Sequence, residues 1–92
     1  MRLLCLKIEG PTQLGFAVGR RQGAAHVRNR GKRILREAFR RLRPWLIPGF
    51  HIVATLRAPG LAAKADSVYF DVAGVLERRG FLDAGWPGAI WD

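Results

Sequence analysis

Between Val27 and Leu42 the chain places apolar residues at helical spacing inside its most basic segment, and few folds accommodate that combination. At ~100° per residue, Ile34, Val27, Ala38, Gly31, Leu42, Leu35 and Phe39 fall on one continuous arc. Lys32, Arg43, Arg36, Asn29, Arg40 and Arg33 fall on a neighbouring arc, and Glu37, Arg30 and Arg41 complete the polar side. A disordered basic tail has no such division. The pattern predicts a helix from about Ala24 to Leu42 that docks its apolar arc on a core and holds a row of guanidinium groups outward. Guanidinium groups are planar forks suited to bidentate phosphate contact.

The charge of the whole chain agrees with that reading. Sixteen Lys and Arg against seven Asp and Glu leave a formal charge of +9 over 92 residues, which predicts attraction to a polyanion. Arg in place of Lys could reflect genomic base composition, but the excess of positive over negative charge could not. Solvated helices usually mix signs, whereas Glu37 is the sole acid between Arg28 and Arg43. Cys5 is the single cysteine, so a disulfide framework and a thiolate metal site are both excluded, and a reducing, cytoplasmic setting is expected. Residues 1–10 carry Arg2, Lys7 and Glu9, too many charges for a signal peptide. No stretch approaches the ~20 apolar residues of a membrane span.

Turn residues divide the remainder. Arg2 to Ile8 reads as a strand ending at Gly10-Pro11. Leu14 to Arg20 reads as a strand with one bulky face; its other face, Gly15, Ala17 and Gly19, is nearly bare and open to close approach by a backbone or ligand. Pro44 ends the basic helix. Phe50 to Leu56 is almost continuously apolar, which predicts a central strand covered on both faces. Asp66 or Ser67 is a suitable N-cap for a last helix running to Arg79, with Gly80 at its C′ position. The expected order is β-β-α-β-α, with the basic helix as the crossover between strands. Residues 1–82 are expected to form one α/β domain that binds a polyanion, RNA being the leading candidate, and residues 83–92 a Trp-containing tail.

With that order in place, the run Arg28, Asn29, Arg30, Lys32, Arg33 and Arg36 resembles the signature of the bacterial ribonuclease P protein component, an Arg-Asn-Arg-x-Lys-Arg-x-x-Arg run on a helix. The flanks are similar as well. Leu14 to Arg21 looks like the strand that leads into a basic pair, Glu37-Ala38-Phe39-Arg40 like the usual continuation, and Phe50 to Pro59 like the next strand and its Arg–Pro turn, with Ala58 inserted. The likeness runs from about Leu14 to Leu82.

The resemblance implies a two-layer α/β (α+β) sandwich whose βαβ crossover is left-handed, against the usual hand. It also implies the small subunit of a ribonucleoprotein, one protein with one RNA, that cuts the 5′ leader from precursor tRNA. The RNA subunit carries the active site and its magnesium. The protein holds that RNA and the single-stranded leader through Arg28, Asn29, Arg30, Lys32, Arg33, Arg36 and Arg40, helped by Arg20 and Arg21. Phe16, Ala17 and Gly19 are candidates to line a leader cleft, although Phe16 reads more readily as core than as a base-stacking surface. Family members usually begin with a further helix carrying aromatic residues, and here Met1 opens into the first strand. Either the start is misplaced or the helix is absent, and in the second case Phe81, Trp86 and Trp91 are expected to fold back over part of the sheet face left without its cover.

The division of labour fits the residues available. The seven acids are scattered, and His26 and His51 lie on different elements, so no catalytic residues, cofactor or metal ligands are expected in the protein itself. The competing readings are a ribosomal-protein-like binder of structured RNA without processing activity and, less well supported, a DNA-binding protein. The latter lacks a helix-turn-helix or zinc framework.

Overall fold

The computed structural model describes residues 2–19, 24–56 and 64–91. In chain order it contains β1 (Arg2–Lys7), β2 (Gln13–Val18), α1 (Ala25–Leu42), one 3₁₀ turn (Arg43–Trp45), β3 (Phe50–Leu56) and α2 (Ala65–Arg78). The β-β-α-β-α order is the one expected. The sheet runs β1-β3-β2, with β1 antiparallel and β2 parallel to the central β3. Parallel neighbours need a crossover connection rather than a hairpin, and α1 is that connection.

The register sorts the strand residues onto two faces. Cys5 and Leu14 both pair with Ile52, Leu3 and Phe16 with Ala54, and Val18 with Leu56. These side chains join Ile34, Leu35, Ala38, Phe39 and Leu42 of α1 and Val68, Tyr69, Val72, Ala73 and Leu76 of α2 in one core. Both helices therefore lie on the same face. The opposite face, with Leu4, Leu6, His51, Val53, Gly15 and Ala17, has no helix among the described residues; Leu4 is 53% and Leu6 67% exposed. This corrects the expectation that β3 is covered on both sides. A continuous apolar run does not distinguish a strand buried twice from one whose second face is apolar and open.

Helix ends follow local chemistry only in part. Pro44 does not cut the chain away from α1: the helix tightens into the 3₁₀ turn with proline in its first positions, where the missing N–H costs nothing. α2 starts at Ala65, a residue or two before the expected caps, and Lys64 at its N-cap makes no side-chain bond. The Asp66 carboxylate instead accepts the Ser67 N–H at 2.8 Å. The C-terminus is as the sequence predicts. Gly80 sits at φ +76°, its N–H bonds to the Glu77 carbonyl at 3.1 Å, and the Phe81 N–H bonds to Leu76 at 3.0 Å. This is the paired closure of a Schellman motif, which favours glycine at the left-handed position.

The last residues pack beside the helices, not over the open sheet face. The Ile47 N–H donates to the Phe81 carbonyl at 3.0 Å and the Asp83 N–H to the Trp45 carbonyl at 2.6 Å, with a bridge between Leu46 and Leu82. Phe81 meets the Phe50 ring edge-on at 4.8 Å, Trp91 packs on Tyr69 at 5.5 Å, and the Tyr69 hydroxyl accepts the Ile90 N–H at 3.1 Å. Phe81, Trp86 and Trp91 thus fold back as expected but onto the covered side. The backbone bonds at 45–47 aim the tail there.

Candidate nucleic-acid interface

The apolar arc of α1 behaves as its spacing requires: Gly31, Ile34, Leu35, Ala38, Phe39 and Leu42 are buried. With that arc pinned, Asn29, Arg30, Arg33, Arg36, Arg40 and Arg43 are exposed, while Arg28, Lys32 and Arg41 are half-buried. From Arg30 to Arg43 the helix rises about 20 Å at 1.5 Å per residue, so it displays a cationic ridge long enough for several phosphates. Arg28 lies at the edge of the apolar arc; its Nε is shielded from solvent and has no hydrogen-bond partner among the described residues.

Glu37 stands in the middle of this ridge. Its carboxylate accepts Arg40 Nε at 2.9 Å and Nη2 at 2.7 Å, and Arg41 Nε at 3.1 Å. The bonds from Arg40, then those from Arg41, hold the Glu37 carboxyl down at about 2, and the same pairing pushes the Arg40 guanidinium further up. Arg41 also stacks on the Trp91 ring, 3.8 Å from its centroid.

Two grooves flank the ridge. One, of about 440 Å³, lies toward the start of α2 and is lined by Arg30, Arg33, Ile34, Glu37 and Ala65. The other, of about 300 Å³, lies toward β2 and is lined by Leu14, Phe16, Arg36, Phe39, Arg40 and Arg43.

The expected site residues divide accordingly. Arg28, Asn29, Arg30, Lys32, Arg33, Arg36 and Arg40 share one helix. Arg20 and Arg21 lie outside the described residues, as does the segment Arg57 to Pro59. Phe16, Ala17 and Gly19 do not form one surface. Phe16 packs against Phe39 at 5.4 Å on the covered side, Ala17 lies on the open face, and Gly19 is exposed beyond the strand end. Gly15 is less bare than its sequence implies: a Cβ there would meet Val53 Cγ2 at 3.5 Å and His51 Nε2 at 3.7 Å. Arg43 and the Arg41–Trp91 stack were not among the expected site residues. The Glu37 clamp is legible as i,i+3 and i,i+4 pairs, but nothing local links Arg41 to a ring fifty positions away. Among the described residues no three His, Cys, Asp or Glu side chains could together hold a metal ion, and no helix is long and apolar enough to cross a membrane.

Comparison with known proteins converges on one family. The family model described as Ribonuclease P matches residues 1–79. The ribonuclease P protein component of Symbiobacterium thermophilum is 46% identical over 77 residues, 76% of this chain and 66% of the relative. That of a Roseiflexus species is 40% identical over 78 residues, 84% of this chain and 64% of the relative. The chain thus spans just under two-thirds of the length of these curated relatives. Among solved structures, the RNase P protein of Thermotoga maritima in complex with 1-(4-fluorophenyl)-2-thiourea superposes with a TM-score of 0.73 at 31% identity, over 83% of this chain and 76% of that one. The Staphylococcus aureus RNase P protein, at 20% identity, shares the fold with a TM-score of 0.75 over 88% of this chain and 75% of its own. By its helix signature, its sheet order and these likenesses, the chain belongs to the bacterial ribonuclease P protein family.

Proposed function

We propose that this chain is the protein subunit of ribonuclease P, binding the catalytic RNA and the 5′ leader of precursor tRNA and so promoting endonucleolytic removal of the leader. The observation that carries the reading is the ridge of exposed arginines on α1, set at fixed spacing by a packed apolar arc. Each phosphate neutralised by such a side chain releases condensed counterions, so affinity gains from entropy and falls with salt. A protein of charge +9 also reduces repulsion between two RNAs brought together, a task otherwise left to magnesium. Magnesium and the chemistry belong to the RNA subunit in this reading. Ala17 and the neighbouring open sheet face remain the place for the leader, whereas Phe16 faces the other way.

The deciding assay mixes the protein with its cognate RNA subunit and a precursor tRNA at low magnesium. Stimulated cleavage at the mature 5′ end is expected. Tight RNA binding without stimulation would instead make the chain a binder of structured RNA. Replacing Arg28, Arg30 and Arg33 together with Ala should lower the log–log salt slope of RNA binding by about two to three. An unchanged slope would remove those side chains from the phosphates.

A further inference from the structure

The groove between β2 and the last turns of α1 combines features that phosphate binding does not need. Its floor is apolar and aromatic: Phe16 is half-buried with its ring tilted 50° to that of the buried Phe39, and Leu14 extends the floor along the strand. Its rim is cationic, with Arg36, Arg40 and Arg43 at i, i+4 and i+7 on one side of the helix. Arg40 is held by Glu37, but Arg36 and Arg43 are exposed and make no ion pair with any described residue. No carboxylate lines this groove. Its other wall is β2, an outer strand of the sheet, with backbone groups on its free edge not taken by β3. Beyond Arg43 lies a further hollow, lined by Pro11, Thr12, Leu46 and Pro48 and sharing Arg43 as a wall, so a strand leaving the first groove has a path along the sheet edge.

We infer that this groove is a nucleobase-binding site, in which one unstacked base of single-stranded RNA packs on Phe16 while its flanking phosphates meet Arg36 and Arg43. Single-stranded RNA is recognised by stacking splayed bases on aromatic rings and guanidinium planes, and both are present here within one cavity. A bare phosphate would use the arginines and leave the aromatic floor empty; an acidic peptide would do the same. The site lies on the covered side of the sheet, away from Ala17 and the open face, so it is separate from the place given above to the leader. It rests on the reading of α1 as an RNA-binding helix, and the test separates the two.

The probe is an adenosine pentamer, compared with an abasic ribose-phosphate pentamer of equal charge. The intact protein should bind the adenosine pentamer about tenfold more tightly. Phe16→Leu, which keeps an apolar side chain against Phe39, should cut that ratio severalfold while leaving the abasic pentamer unaffected; Arg43→Gln should weaken both pentamers alike. Equal binding of the two pentamers by the intact protein overturns the base site while leaving the RNA-binding reading standing. Binding of neither overturns both. Competition by polyglutamate as effective as that by the adenosine pentamer also overturns it. A measurement on the unmutated chain guards against misfolding of the Phe16 variant: photocrosslinking of a 5-iodouridine pentamer should map to 14–16 or 39–43, and crosslinks confined to β1 and β3 overturn the proposal.

Discussion

The two flanks of the α1 ridge both present arginines and are built for different ends. Toward α2, Arg30 and Arg33 share a groove with Glu37 and the aliphatic Ile34, and the neighbouring Arg41 is held by Glu37 on one side and Trp91 on the other. Toward β2, Arg36 and Arg43 overhang two phenylalanines with no acid in the lining. The first flank has part of its charge committed to holding the helix and tail in place. On the second only Arg40 is paired, with Glu37; Arg36 and Arg43 make no ion pair with a described residue and have an aromatic surface beneath them. Similar runs of arginine thus acquire different chemistry from what the fold sets below them.

The largest test of this contrast concerns the floors. Phe39 is 1% exposed and Ile34 7%. Phe39→Ala should cost about 3–5 kcal/mol and Ile34→Ala nearer 2 kcal/mol, because a site at the groove edge relaxes into the space left. Urea denaturation measures both. Equal losses would mean that the floors are equally rigid and the contrast lies in charge alone.

Next is the brace on the α2 flank. Deleting residues 83–92 removes Trp86, Trp91 and the bond from Asp83 to Trp45, and should lower the melting temperature by on the order of 10 °C, given 4–8 °C per kcal/mol in a domain of this size. An unchanged melting temperature would show that the tail does not brace the helices. Trp91→Leu should lose less, because only the cation–π and ring contacts go.

A smaller effect is expected at Glu37. Glu37→Gln weakens the hold on Arg40 and Arg41 and should steepen the salt slope of RNA binding by about one to two; an unchanged slope would mean that the paired arginines already reach phosphate. The pH dependence has a definite sign. The Glu37 carboxyl lies at about 2 in the folded protein against an ordinary 4.5, so its support is fully present above 4.5 and fades as pH falls from there toward 2. The stability difference between wild type and Glu37→Gln should be level from pH 8 to 5 and close below 4.5. Closure at a higher pH would mean that the clamp does not form in solution.

Much of this architecture was legible before folding. The apolar arc of α1, its end near Pro44, the bounds of β3 and the Gly80 cap rest on periodicity and local backbone chemistry, which operate within a few residues. The first strand and α2 were placed to within a residue or two for the same reason. Legibility stopped where partners come from far along the chain. Phe16 could have faced either side until the register put it opposite Ala54. The tail's aromatics were expected over the open face and instead join the helices, because backbone bonds at 45–47 direct them there. Gly15 looked bare, but Val53 and His51 lean over it.

What the sequence determined by itself is which side chains share a helix face, since 3.6 residues per turn is a property of the backbone. The ridge of arginines follows from that order alone, and the same run carries the resemblance to the ribonuclease P protein family. The tertiary structure decided what lies under each arginine. Strand pairing placed Phe16 and Leu14 beneath Arg36 and Arg43, and a returning tail placed Trp91 under Arg41. Those contacts join residues twenty to fifty positions apart, and only packing brings them together.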